Sequence, residues 1–296
     1  WHHTAPQSRC HLSVQQSHVP SQGALFGGPD REVPKPARPD ELEVLITVKA
    51  APNPSAKAGE TVCVAGLGLS RGRTAARWIR LYPINFRFLE QDQKFKKYDI
   101  IRVRAVPATG DSRVESWQPD MSTMEVIDHL DPWKRRRALL DPTALDTMCE
   151  LNRQNQQTSL APSLGLVPVR ELIDLRITDH AGWTPEEQAK IDAYVNQMDL
   201  FDDSDKSPLQ APRLEGHYRW KCYDAQCKGH DQSIIDWEFV ALQRRLGNSP
   251  KAAVCAALKD RFVDMMFKPP RTPAFFVGNQ AKRHHVFHVL GVYYPN

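Results

Sequence analysis

Leu42-Glu43-Val44-Leu45-Ile46-Thr47-Val48-Lys49-Ala50 decides how the first half of this chain folds. It lacks glycine and proline and is rich in branched apolar side chains, so it reads as a strand. Three similar runs follow, Thr61–Leu67, Arg77–Tyr82 and Asp99–Val106. Turn residues separate them at Pro52-Asn53-Pro54-Ser55, Ala58-Gly59 and Ala108-Thr109-Gly110-Asp111. Four or five such strands within residues 41–118 fit a small antiparallel β-barrel-like module of OB, SH3 or PUA type.

On the N-terminal side the composition changes. Residues 1–40 hold six prolines (Pro6, Pro20, Pro29, Pro34, Pro36 and Pro39) among Gln, Ser and Gly. Such a stretch buries too little apolar surface to offset its ordering entropy, and a disordered tail is expected. On the other side, residues 119–165 read as a helical connector and linker. Asp131-Pro132 and Asp141-Pro142 resemble helix starts, each a capping Asp followed by proline at the first helical position. The second helix is expected to bury Leu145, Met148 and Cys149, and the polar stretch Asn152–Ser163 to form a loop. A strand-like run at Leu166–Ile177 then opens a mixed α+β domain over 166–296, and Thr184-Pro185-Glu186-Glu187 caps a helix within it. The fold class expected for the whole chain is α+β.

The chain has 296 residues, 41% hydrophobic and 25% charged, which excludes a wholly disordered protein. No stretch approaches the ~18 consecutive apolar residues of a membrane-spanning helix, so no membrane partner is expected. Six cysteines are too sparse for a disulfide scaffold, and Trp1–Gln16 lacks the apolar core of a secretory signal. A cytoplasmic location is expected, and there closely spaced cysteines read as metal ligands.

Charge is unevenly spread. The net value is +4, yet residues 68–104 hold ten Lys and Arg against three Asp and Glu. Side chains alternate along a strand, so Trp78, Arg80 and Tyr82 share one face, and Arg102 and Arg104 lie opposite Ile101, Val103 and Ala105. With Lys96 and Lys97 they would form a basic surface interleaved with aromatic rings. Single-stranded DNA or RNA uses such a surface, stacking bases on rings while cations follow the phosphates. The competing reading is a solvated face, or a scaffold that meets an acidic protein partner.

The most informative local pattern is His217-Tyr218-Arg219-Trp220-Lys221-Cys222, a strand by alternation, followed by Cys222-x4-Cys227-x2-His230. Thiolate and imidazole ligands at this spacing suit zinc, and Gly229 can turn the chain beside the metal. A closed site needs a fourth ligand. His285, in the polar loop Asn279–His285, is the preferred choice with His284, ahead of His288, Cys255 and His217, and Cys255 sits on a buried helical stripe. Downstream, Asp236 and Glu238 could act as catalytic carboxylates beside the cluster. Asp236 also fits a capping box started by Ser233, which leaves Glu238 as the better general base.

No P-loop, Rossmann, H-E-x-x-H or G-x-S-x-G motif is present. Whether the chain is an enzyme is left open. The leading expectation is a nucleic-acid-binding protein of two modules with a structural zinc site. The alternative is a metal-dependent hydrolase or nuclease, with Cys222, Cys227 and His230 as ligands and Glu238 as base.

Overall fold

The structure is a computed structural model that describes residues 38–70, 72, 74–86, 89, 94–145, 147–196 and 207–296. The expected N-terminal tail lies outside the described residues except for residues 38–40, as do Arg71, Arg73 and Arg87 of the basic segment.

Seven strands build the N-terminal half: β1 (Asp40–Lys49), β2 (Asn53–Ser55), β3 (Gly59–Leu69), β4 (Ala75–Ile84), β5 (Asp99–Pro107), β6 (Ser116–Pro119) and β7 (Glu125–His129). The ladder runs β1-β3-β4-β6-β5 and closes through a β1–β5 pairing, giving a five-stranded barrel. β2 pairs with β3 and β7 with β5 outside the ring. One pair, β4–β6, is parallel, so the barrel is not wholly antiparallel. Its sheet also extends past residue 118, because β6 and β7 both pair with β5. Alternation fills the lumen: Leu42, Val44 and Ile46 of β1 meet Val62, Val64, Ile79, Leu81, Ile101 and Val103.

The opposite face of those strands is apolar too. Leu45, Val48, Ala65, Leu67 and Trp78 pack outward against Leu164, Leu166, Phe276 and Leu290 of the C-terminal half. A strand buried on both sides reads as a continuous apolar run, and this is why Leu45 and Ile46 are both fully covered.

Helix α1 (Trp133–Leu140) follows, then a 3-10 turn at Asp141–Thr143 and α2 (Met148–Gln157). A helix does start at the first Asp-Pro pair, though without the expected Asp cap, whereas the second pair opens only the 3-10 turn. Pro132 stands at the N-cap of α1 with no side-chain cap, and α2 is capped by Thr147, whose Oγ1 accepts from Glu150 N at 3.0 Å. Asn152–Gln157 is helical, not loop. The run from Leu166 to Ile177 divides into β8 (Leu164–Pro168) and β9 (Glu171–Asp179), which join different sheets.

The remaining elements are α3 (Pro185–Val195), β10 (Leu214–Lys221), β11 (His230–Ser233), α4 (Trp237–Leu246), α5 (Lys251–Lys259), β12 (Ala274–Gln280) and β13 (Arg283–Tyr293). Thr184 and Glu187 form the expected capping box on α3. The strands make two three-stranded sheets, β11-β10-β9 and β13-β12-β8. β13 is the edge of its sheet. It is apolar on both faces because Leu290 packs toward the barrel while Val289 and Val292 enter the C-terminal core. That core also holds Tyr218, Trp220, Phe239, Val254, Leu258, Phe262 and Phe275. After α5 the chain widens into a π-helix at Asp260–Met265, and Met266 just beyond it is fully buried.

Candidate metal centre

β10 alternates as expected, burying Tyr218, Trp220 and Cys222. Its end leads into a turn in which Cys227 N donates to Asp224 O at 3.1 Å, and Gly229, at φ 108°, returns the chain into β11. The turn brings three groups together: His230 Nε2 lies 3.4 Å from Cys222 Sγ and 3.3 Å from Cys227 Sγ. The fourth donor comes from α2. Cys149 Sγ lies 3.6 Å from Cys222 Sγ and 3.7 Å from His230 Nε2. All four donor atoms fall within 4.8 Å of one another, an arrangement consistent with a metal site.

Cys149 therefore takes the corner expected of His285, which is exposed on β13. His217, Cys255, His284 and His288 are likewise placed elsewhere. His217 Nδ1 pairs with Asp231 Oδ1 at 2.8 Å, Cys255 packs against the core from α5, and His284 is on β13 with His285. His288 contacts Ser233 Oγ through Nδ1. Gln280 Nε2 donates to His288 Nε2 at 2.7 Å, and Arg283 Nε fixes that amide by donating to its Oε1 at 2.8 Å. The ring proton thus sits on Nδ1 and points at Ser233, so His288 cannot take a proton from the serine in this arrangement.

Burial, reinforced by the neighbouring Cys222 and Cys227 sulfurs, pushes the Cys149 thiol up to about 12. Burial also lowers His230, against Asp224, and so keeps the imidazole in its neutral, ligating form. Outside the four donors, Arg153 of α2 pairs with Asp224 at 3.3 Å and ties the helix to the turn.

Asp236 and Glu238 are not among the four clustered donors. Asp236 is the N-cap of α4, its Oδ1 accepting from Glu238 N at 2.9 Å, and this replaces the expected capping box from Ser233. Both carboxylates act instead on lysines at the junction with the barrel. Burial pulls Lys49 down to about 8, against the opposing charges of Asp99 and Glu238. Burial also works against the Lys97 charge, yet Tyr98, Glu238, Asp236 and Tyr294 together hold it above the ordinary lysine value. Asp236 is itself pushed up to about 7 by burial, with Lys97 opposing.

The expected nucleic-acid face is also redistributed. Trp78 and Arg80 are only 6% and 4% exposed, covered by the C-terminal half, while Tyr82 on the same strand is 44% exposed. Trp78 meets Phe276 edge-on at 6.2 Å. Arg80 Nη2 donates to Ser163 O and to Ser163 Oγ, both at 3.2 Å. Ser163 in turn donates its N–H and hydroxyl to the buried Glu115 carboxylate at 2.7 and 2.8 Å. Lys97 is half-exposed as a residue, but its ammonium end is buried and donates to Val292 O at 3.5 Å. Arg102 is surrounded by Glu41, Glu43 and Glu125. Lys96 and Arg104 are exposed. Trp78, Arg80 and the Lys97 ammonium belong to the contact between the two halves, while Tyr82, Lys96 and Arg104 stay at the surface.

Residues 144–296, more than half of the chain, match a family described as a domain of unknown function, DUF8757. The chain belongs to the DUF8757 family. Residues 40–142 match a second domain of unknown function, DUF8758. No curated protein matches the chain. All four donors lie in the DUF8757 segment, and the barrel with α1 makes up the DUF8758 segment. The residue missed from sequence is Cys149. The signal available for it was a cysteine in the first turn of a helix, which fitted a core stripe equally well.

Proposed function

We propose that the protein is a zinc-stabilised nucleic-acid-binding protein. The observation that carries the zinc assignment is the spacing of the four donors. Bonds of ~2.3 Å to sulfur and ~2.0 Å to nitrogen place tetrahedral corners about 3.8 Å apart for sulfur–sulfur and about 3.5 Å for sulfur–nitrogen. The separations of 3.6 Å and 3.3–3.7 Å match both. Three thiolates and an imidazole are a zinc donor set, and such a site suits a reducing compartment such as the cytoplasm. Zinc here would tie α2 to the β10–β11 turn. A hydrolytic centre keeps one corner for water, whereas Cys149 completes this tetrahedron, so the geometry favours a structural role over the hydrolase reading.

Support for a nucleic-acid partner shifts from the barrel face to the junction. Trp133 and Arg136 of α1 turn inward, Arg136 packing over the rings of Tyr98 and Trp133 at 4.1 and 5.0 Å. Lys134, Arg135 and Arg137 remain exposed, as do Arg153 and Arg170 of the DUF8757 segment. These exposed cations from both segments give an anionic polymer a surface to follow.

Two measurements test the proposal. Purified protein should hold one zinc per chain, and cobalt substitution should give a tetrahedral thiolate spectrum that is lost in Cys149→Ser and retained in His285→Ala. Affinity for a single-stranded oligonucleotide should fall steeply with salt. Absent metal would remove the first half, and a flat salt dependence the second. An acidic protein partner would instead be recognised by tight binding of acidic peptides without oligonucleotide competition.

A further inference from the structure

A cleft of about 700 Å³ opens where the two family-matched segments meet. Junctions of this kind are favoured positions for ligand sites, and the volume lies in the range of small-molecule pockets. Three guanidinium groups line it, Arg137 from α1, Arg170 from the β8–β9 turn and Arg271 from the segment before β12. The one carboxylate in its wall, Asp141, is engaged on both oxygens. Its Oδ1 accepts from Tyr293 Oη at 2.6 Å and its Oδ2 from Arg137 Nε at 3.0 Å.

Each arginine is anchored along part of its guanidinium. Arg137 uses Nε alone. Arg170 donates through Nη1 to Asp224 O at 3.4 Å, and Arg271 through Nε to Asn296 Oδ1 at 3.0 Å and through Nη1 to Met265 O. The Nη2 groups of all three remain for a ligand, on side chains whose freedom is already reduced. Tyr223 completes the wall. It is 60% exposed, the most open aromatic ring of the DUF8757 segment among the described residues, and it projects from the turn directly after Cys222. Guanidinium donors lining one cleft match phosphate oxygens, and an exposed aromatic face matches a base.

We propose that this cleft binds a nucleoside phosphate, with the phosphate on Arg137, Arg170 and Arg271 and the base on Tyr223. The ligand is a free mononucleotide or the phosphorylated end of a single strand. The inference deepens the nucleic-acid reading and rests on it only for the second of these sources. It also links the cleft to the metal turn, since that turn supplies both Tyr223 and the carbonyl that anchors Arg170.

The test uses full-length, zinc-loaded protein and fluorescence anisotropy with three probes. These are a labelled nucleoside monophosphate, a 3′-labelled single strand with a 5′-phosphate, and the same strand with a 5′-hydroxyl. Two or more charge-assisted bonds should make the phosphorylated strand bind about tenfold tighter than its hydroxyl counterpart. Arg170→Ala should remove most of that preference, and Tyr223→Ala should weaken all three probes alike; neither variant, both being at exposed positions, should shift the thermal midpoint. Oligonucleotide binding with no phosphate preference and no effect of either variant overturns the cleft proposal and leaves the nucleic-acid reading standing. Cleft-dependent binding of the mononucleotide alone upholds the site and overturns the nucleic-acid reading. Binding of no probe overturns both.

Discussion

Arg80 separates an internal anchor from a ligand contact, and Arg80→Met tests which it is. Methionine keeps much of the packing volume and removes the donors. The wild-type guanidinium makes two bonds to Ser163 at 3.2 Å and a sulfur contact to Cys63 at 3.5 Å. At the low end of ~1.5 kcal/mol for each hydrogen bond involving a charged group, the two Ser163 bonds account for about 3 kcal/mol. The loss is compounded because Ser163 also holds the buried Glu115 carboxylate, which is left without its relayed positive partner. With a urea dependence of ~2 kcal/mol per molar, the unfolding midpoint should fall by about 1.5 M. Tryptophan fluorescence can follow both halves of the molecule, because Trp78 and Trp117 sit in the barrel strands and Trp220 in β10. Oligonucleotide affinity, measured well below the new midpoint, should change by less than twofold. An unchanged midpoint combined with a large loss of affinity would refute the reasoning and return Arg80 to the binding surface.

Cys149→Ser should weaken zinc binding by more than about 100-fold in a chelator competition, since loss of even an outer partner costs about 10–100-fold. Asp236, at about 7 in the folded protein against 3.8 ordinarily, holds its proton more tightly when folded. Wild-type stability relative to Asp236→Asn should therefore fall, by up to a few kcal/mol, as pH rises from about 4 to about 7, and be level above that. Chemical denaturation at several pH values reads this directly, and a parallel profile for the two proteins would contradict it. Gly66→Ala would set a Cβ 2.1 Å from the backbone oxygen of Leu45, so it should break the β1–β3 pairing and leave little folded barrel by circular dichroism.

Local patterns in the sequence located the elements more securely than their partners. Four of the five barrel strands, β1, β3, β4 and β5, are visible because their apolar runs and turn residues are contiguous. Alternation correctly places Trp78 and Arg80 on one face, but it carries no information about what covers that face. The answer lies 83 residues away at Ser163 and farther still at Phe276. The same limit governs the metal centre. Cys222, Cys227 and His230 fall within nine residues and show in the spacing, whereas Cys149 reaches them across a whole domain core. The lysine–carboxylate contacts at the junction were invisible for the same reason. Lys97 read as one cation in a basic run, and only the packed structure sets it beside Asp236 and Glu238.

The separation of Cys149 from its partners also bears on the order in which the domain assembles. Bringing Cys149 to Cys222 closes a loop of 73 residues, at an entropic cost of about 4 kcal/mol before any contact is rewarded. The turn from Cys222 to His230 loses far less entropy and can gather three donors by itself. Zinc would then be caught early by a half-built turn with an open corner, and α2 would close that corner last. On this view the metal acts as a bookmark in folding: refolding with zinc present should speed the docking of α2 and leave the rate of barrel formation unaltered.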